Sequence, residues 1–125
     1  MTVKEISSIQ EKAVDEIKHL YVWQEAVLKS VRRKNAPDLS ERQMTILLTV
    51  YLKPYPHTVK SLSNLLAISK PPVTRALDRL GEYGFIKRQP DENDRRNVLI
   101  LRTVKGACFL KEFVDIVNQA EKNNM

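Results

Sequence analysis

Apolar residues recur at helical spacing through most of the chain. The first such run begins at Val3, continues at mostly three- and four-residue steps, and contains no glycine or proline before Pro37. Thr2 and Glu5 have the spacing of a capping box, which starts a helix. The pattern predicts one long helix over residues 3–34. Such a helix is too long to bury its whole apolar stripe against a small domain, so we expect a partner subunit to cover the rest.

Two shorter helices are predicted next. A second capping box, formed by Ser40 and Gln43, starts a helix that Pro54 ends, because proline cannot continue the hydrogen-bond ladder. Thr58 caps a short third helix, and residues 67–69 form a tight turn after it.

The fourth predicted helix is amphipathic. Ser69 caps it, Pro71 and Pro72 fall in its first turn, and Gly84 supplies a left-handed cap at its end. Its inward stripe consists of Val73, Ala76, Leu77 and Leu80. The side chains left outside are Lys70, Pro71, Thr74, Arg75, Asp78 and Arg79.

A hairpin and a final helix complete the pattern. The strand-like runs 85–88 and 98–101 flank a polar loop over residues 90–97, and Thr103 caps the last helix. The order is helix, helix, helix-turn-helix, basic hairpin, helix. It predicts a mainly α fold of the α+β class.

Positive charge is concentrated in the middle of the chain. The net charge is +6, and residues 58–106 hold ten Lys and Arg against five Asp and Glu, a net +5. This distribution is typical of a surface that binds phosphates. On charge alone, an unused solvated face is an equally good interpretation.

The fourth helix carries the candidate residues for reading DNA. In a helix-turn-helix the second helix enters the major groove with its N-terminal residues at the base edges. Arg75 offers a two-pronged contact to guanine, and Pro72 either touches a thymine methyl group or only shapes the turn. The candidate major-groove residues are Ser69, Lys70, Pro71, Pro72, Thr74, Arg75 and Arg79. Ordinary surface residues on a helical hairpin are the alternative.

The hairpin tip has the sequence Asp94-Arg95-Arg96. A loop of this kind can place an arginine in the narrow minor groove, where the potential is most negative. Asp94 repels phosphate, so we interpret it as the residue that fixes the direction of the Arg96 guanidinium. The alternative is a solvated turn whose charges neutralise each other. The candidate hairpin residues are Lys87, Arg88, Asp94, Arg95 and Arg96.

These segments together resemble one known family. Residues 58–80, which include the run Ser-Lys-x-x-Val-Thr-Arg-x-Leu-Asp-Arg-Leu, resemble the helix-turn-helix of the MarR family of bacterial transcriptional regulators. Residues 84–96 resemble its wing and residues 101–106 the exit into the next helix. The resemblance covers about residues 39–113. This chain departs from the family pattern at Pro71-Pro72, where small polar residues are common, and in its short C-terminal region.

The resemblance implies an architecture and a function. It implies a winged helix-turn-helix over residues 39–103, with dimerisation helices over residues 1–35 and 104–125 in a single domain. A homodimer would straddle a pseudo-palindromic site on double-stranded DNA, acting as a transcriptional regulator, by family habit a repressor. Asp94 and Arg96 would occupy the family's Asp-x-Arg wing positions, with Arg95 facing phosphate. A winged-helix protein-interaction module without specific DNA binding is the alternative.

The sequence gives little support for a redox, metal, cofactor or catalytic site. The single cysteine, Cys108, stands in an apolar stretch, so we expect it to be buried and structural rather than a redox switch. His19 and His57 have no paired ligands nearby, and no nucleophile or phosphate-loop motif occurs. We therefore expect no metal, no cofactor and no enzymatic activity. No apolar run or signal segment suggests a membrane, which favours the cytoplasm.

Many members of the family are released from DNA by small aromatic ligands. The candidate residues for such an effector pocket are His19, Tyr21, Trp23, Tyr51 and Tyr55. Core and interface aromatics are the favoured interpretation of the same residues, and the sequence does not decide between the two.

Overall fold

A computed structural model describes residues 1–124, with the side chains of all of these except residues 11–16. The elements are α1 (Val3–Glu16), α2 (Lys18–Val31), α3 (Glu41–Leu52), α4 (Val59–Leu66), α5 (Lys70–Glu82), β1 (Ile86–Pro90), β2 (Val98–Arg102) and α6 (Val104–Asn123). They fall into two compact units. Unit 1 contains residues 1–36 and the part of α6 from Lys111 onward, and unit 2 contains residues 37–110. The predicted order of elements is confirmed, with one exception at the N-terminus.

The prediction of one long N-terminal helix is wrong. Ile17 separates α1 from α2, with φ −100° and ψ 18°, and its carbonyl accepts from the amides of Leu20 and Tyr21 at 2.8 and 3.3 Å. A β-branched residue has restricted rotamers in a helix. The side chains of residues 3–10 are all exposed. The spacing of apolar residues does not reveal this break, since it continues through it.

Unit 1 pairs α2 with the C-terminal half of α6 in antiparallel fashion. The Arg33 guanidinium donates to the Glu112 carboxylate, and the Asn123 side-chain amide donates to Glu25 at 3.0 Å. Capping of α1 follows the sequence prediction, because Thr2 and Glu5 exchange hydrogen bonds at 3.0 and 3.1 Å.

Unit 2 has a continuous apolar core. The side chains that are almost completely buried there are Ile46, Leu47, Val50, Leu62, Val73, Leu77, Leu80 and Ile100. The inward stripe predicted for α5 is confirmed, since all four of its residues are buried. Both predicted caps of α3 and α4 are present as capping boxes, Ser40 with Gln43 and Thr58 with Ser61.

The hairpin packs against the core by one face. β1 and β2 are antiparallel, with Ile86 opposite Arg102 and Pro90 opposite Val98. Ile86 and Ile100 are buried, while the side chains of Lys87 and the following three residues are exposed. The hairpin is therefore anchored at its base, and its loop extends away from the core.

Tyr51 fixes the point where α6 begins. Its hydroxyl donates to the Phe85 carbonyl at 2.7 Å and accepts from the Thr103 amide at 2.9 Å. The Thr103 hydroxyl accepts from the Gly106 amide at 3.0 Å, as predicted for a cap, and lies 2.7 Å from the Gly84 carbonyl. Gly106 packs so closely here that a Cβ would overlap both the Tyr51 hydroxyl and the Phe85 carbonyl oxygen.

Cys108 is exposed, so the prediction that it is buried is wrong. Gly106 and Phe109 are the buried residues of this turn of α6. At 100° per residue, that orientation points positions 107 and 108 outward. The apolar neighbours in the sequence lie around Cys108 along the helix and do not cover it.

Both ends of α5 are shaped by left-handed residues. Gly84 has φ 79°, and the Phe85 amide donates to the Leu80 carbonyl at 3.0 Å, which confirms the predicted cap. Before α5, Ala67 has φ 55° and ψ 41°, and the Ile68 amide donates to the Ser63 carbonyl at 3.2 Å. The tight turn of the helix-turn-helix therefore rests on an alanine in a conformation that favours glycine.

We expect Ala67→Gly to stabilise the protein by roughly 0.5 kcal/mol. The left-handed conformation costs an L-residue about 1–2 kcal/mol, and the greater freedom of glycine in the unfolded chain offsets only part of that gain. Urea unfolding measures the difference. The matched control is Ala107→Gly, at an exposed position inside α6, which should destabilise by about 1 kcal/mol. Equal losses in the two variants would show that the turn at Ala67 is not strained.

Candidate nucleic-acid interface

The N-terminus of α5 lacks its usual side-chain cap. Ser69 has the extended backbone of a cap residue, φ −69° and ψ 163°, but its hydroxyl makes no capping hydrogen bond. A cap hydroxyl normally accepts from the second or third amide of the helix. Those positions are Pro71 and Pro72, which have no N–H. The sequence prediction places Ser69 correctly and is wrong about its bond.

The outer face of α5 carries both engaged and free cations. Arg79 pairs with Glu82 at 3.1 Å, and both side chains are largely exposed. Arg75 and Lys70 are exposed and have no ion pair within the described part of the chain. Of the two neutral candidates in the first turn, Pro71 is exposed and Pro72 is half-buried. Arg75 is thus the guanidinium on this helix that is available to another molecule.

The loop between β1 and β2 is closed by its own polar groups. The Asp91 and Asp94 side chains accept from the amides of Asn93 and Arg96 at 2.9 and 3.2 Å, forming two Asx turns. The Asp91 amide donates to the Asn97 carbonyl at 3.1 Å. These bonds give the exposed tip a defined shape.

Asp94 holds the Arg96 guanidinium with two hydrogen bonds, as predicted. Arg96 donates from Nε to Oδ1 at 3.1 Å and from Nη2 to Oδ2 at 3.3 Å. The Arg96 side chain is nevertheless 91% exposed. Its direction is therefore fixed while its remaining donors face solvent, which is the state of a side chain prepared to bind an anion or a groove.

The hydrogen bonds from Arg96 also change the pKa of the Asp94 carboxyl group. Hydrogen bonds from the Arg96 side chain, and then from its backbone amide, hold the pKa of Asp94 below its ordinary value of 3.8. A depressed pKa means that the stabilisation is complete above the unfolded-state value and is lost as the pH falls through the folded-state value. The Asp94–Arg96 contact is therefore intact throughout the neutral range.

Two of the basic residues in this region serve the fold. Arg88 of β1 forms an ion pair with Asp78 of α5 at 2.8 Å, which links the hairpin to the helix. Arg102 donates to the carbonyls of Val50 and Lys53 at 2.8 and 2.9 Å. It therefore caps the C-terminus of α3, where a cation is favourable.

Sequence reasoning missed these structural roles. Arg88 was expected to contact DNA, and its pairing with Asp78 joins residues ten positions apart on different elements. The remaining hairpin candidates, Lys87 and Arg95, are exposed and have no ion pair among the residues described. The cationic side chains that α5 and the hairpin present to solvent in this way are Lys70, Arg75, Lys87, Arg95 and Arg96.

The sequence model of the MarR family matches residues 39–98, which is most of unit 2. This part of the chain belongs to the MarR family. Its fold is accordingly a winged helix-turn-helix, with α5 as the recognition helix and the β1–β2 hairpin as the wing. The family consists of transcriptional regulators and not of enzymes.

Individual relatives agree with this membership. The chain is 35% identical over 79 residues to the HTH-type transcriptional regulator PecS of Dickeya dadantii (strain 3937), covering 62% of this chain and 48% of PecS. It is 36% identical over 62 residues to the multiple antibiotic resistance protein MarR of Escherichia coli (strain K12), covering 50% and 43% of the two chains. The chain therefore spans about half the length of the curated relatives it matches.

A solved structure extends the similarity in fold to both units. The transcriptional regulator Tm0710 from Thermotoga maritima matches with a TM-score of 0.70 and 26% identity, covering 93% of this chain and 78% of that one.

The candidate effector residues lie in different units. His19, Tyr21 and Trp23 are exposed on α2 of unit 1. Tyr51 and Tyr55 belong to unit 2, and both hydroxyls are hydrogen-bonded there, that of Tyr55 accepting from the Arg102 amide at 3.0 Å.

Among the described residues, no helix is both long and apolar enough to cross a membrane.

Proposed function

We propose that this MarR-family chain is a homodimeric transcriptional repressor that binds a pseudo-palindromic site on double-stranded DNA. The observation that carries the proposal is the Arg96 side chain, exposed at the wing tip yet held by the two hydrogen bonds that it donates to Asp94. The Asx turn at Asp94 and this two-pronged contact order the arginine before any partner is bound. Ordering it in advance lowers the entropy lost when it enters a groove.

The recognition helix α5 and the wing differ in the groove that they would contact. α5 offers Arg75 to the major groove, where the donor and acceptor pattern distinguishes all four base pairs. Arg96 is suited to the minor groove, whose width and potential vary with sequence. Lys70, Lys87 and Arg95 would contact phosphates and supply affinity that falls steeply with salt.

Dimerisation would cover apolar side chains that this chain leaves exposed. Those on α1, α2 and α6 are Val3, Ile6, Ile9, Leu20, Tyr21, Trp23, Val27, Leu28, Val31, Val104 and Val114. Exposed apolar side chains in such number on these helices support a protein interface there. A second copy of the chain is the partner consistent with a pseudo-palindromic site, because two-fold protein symmetry matches two-fold symmetry in DNA.

Repression by occupation of the site and release by a small aromatic effector are the remaining parts of the proposal. The hydroxyls of Tyr51 and Tyr55 are engaged within unit 2, so these two residues would meet such a ligand through their rings alone. The exposed aromatic residues of α2 are the candidates for contact with such a ligand.

Selection of DNA from a random pool by the full chain tests this function. We expect enrichment of a pseudo-palindrome whose half-sites are about one helical turn, roughly 10 base pairs, apart. Analytical ultracentrifugation should show one dimer bound to each site. Binding should weaken by orders of magnitude between about 50 and 200 mM salt, as it does for proteins with many phosphate contacts.

The outcomes separate the two functional classes. Recovery of no enriched sequence would support a winged-helix protein-interaction module instead. Arg75→Ala should relax the preference at one position of each half-site and leave the dimer intact. Arg42→Ala serves as the control, because Arg42 is an exposed arginine on α3 without a place in the proposed interface.

A further inference from the structure

Pro71 is placed where a DNA-reading side chain would be expected. The core-facing stripe of α5 contains Val73, Leu77 and Leu80, and at 100° per residue Pro71 and Arg75 project from the opposite side. Pro71 is exposed, whereas the next residue, Pro72, is half-buried. Pro71 and Arg75 lie one helical turn apart on the same outward face.

The chemistry of Pro71 limits what it can contact. The N-terminus of a helix commonly binds phosphate through its free amides. At this position the proline has no N–H to offer, so it presents only an apolar ring. The apolar group that base pairs display in the major groove is the 5-methyl group of thymine.

We infer that Pro71 is a specificity-determining residue that contacts the 5-methyl group of a thymine in each half-site, an inference that rests on the proposed DNA-binding function. Arg75 lies about 6 Å further along α5 and is suited to guanine. The spacing between stacked bases is about 3.4 Å. The recognised thymine should therefore lie one or two base pairs from a guanine.

Replacing thymine with uracil tests this contact directly, because uracil lacks only the methyl group. Each thymine of the selected site is replaced in turn, symmetrically in both half-sites, and binding to the full chain is measured by fluorescence anisotropy. We expect one position to weaken binding about fourfold for each methyl removed, the factor for one buried CH₂ group. At the other positions uracil should have little effect.

Two variants show whether Pro71 is the residue that senses the methyl group. Pro71→Ala should lose most of the preference for thymine over uracil, because it removes the ring carbons Cγ and Cδ and leaves only Cβ. Pro72→Ala is the matched control and should keep the full preference for thymine. Loss of folding does not confuse the comparison, because Pro71→Ala restores an amide that Ser69 can cap, and thermal unfolding verifies this.

Each result decides a different question. If a site is selected and no thymine can be distinguished from uracil, the inference about Pro71 is wrong and the proposed function stands. If the preference for thymine persists in Pro71→Ala, another residue reads the methyl group. If no site is selected, the proposed function and this inference fail together.

Discussion

Replacing Arg96 with alanine is expected to weaken binding to the selected DNA site about tenfold to hundredfold. Hydrogen bonds to charged groups contribute roughly 1.5–3 kcal/mol each, and Arg96→Ala removes the donors that the wing presents. The fold should be unaffected, because the Arg96 side chain is 91% exposed and, among the described residues, it pairs with Asp94 in the same loop. Anisotropy with the selected site and thermal unfolding measure the two properties.

Two companion variants make this result specific. Arg42→Ala removes the same charge from an exposed position on α3, so binding should change little if the direction of Arg96 is what matters. Asp94→Asn distinguishes two roles for the carboxylate by the sign of its effect. If Asp94 only repels phosphate, binding tightens; if it directs Arg96, binding weakens. We expect weakening, and affinity unchanged in Arg96→Ala would contradict the assignment of the wing.

Gly106→Ala is expected to produce the largest loss of stability, about 3 kcal/mol in the free energy of unfolding. A Cβ at this position overlaps the Tyr51 hydroxyl and the Phe85 carbonyl oxygen. Overpacking costs typically 1–3 kcal/mol, and here the displaced groups are also hydrogen-bonded to each other. The melting temperature should fall by roughly 10–20 °C, measured by circular dichroism.

Gly81→Ala is the matched control for this substitution. At Gly81, inside α5, the nearest atom to an added Cβ is the Arg88 guanidinium at 3.5 Å, an ordinary van der Waals distance. Alanine is the better helix former by about 1 kcal/mol, so the variant should be stabilised. A melting temperature in Gly106→Ala equal to that of the unmodified chain would show that α6 can shift away from Tyr51.

The sequence was sufficient wherever the signal is local. Each capping box in unit 2 joins residues three positions apart, so its geometry follows from the residue types. The left-handed conformation of Gly84 follows in the same way from the residue itself. The inward stripe of α5 follows from helical periodicity. The Asp94–Arg96 contact is predictable for the same reason, because the two residues are neighbours in one short loop.

Tertiary structure decided the features that depend on residues far apart in the chain. Arg88 and Arg102 have the same charge as Arg75, yet their partners on α5 and α3 commit them to the fold. The need for glycine at position 106 arises from Tyr51, 55 positions earlier. The exposure of Cys108 depends on which face of α6 is packed.

The recognition helix shows both contributions at one place. The sequence by itself determined where this helix begins, although the cap predicted for Ser69 is absent because Pro71 and Pro72 have no amide hydrogen. Only the packing of Val73 and Leu77 into the core determined that Pro71 faces outward and Pro72 is half-buried. Residue types fix which bonds are chemically available, and burial of the apolar stripe fixes which side chains can meet another molecule.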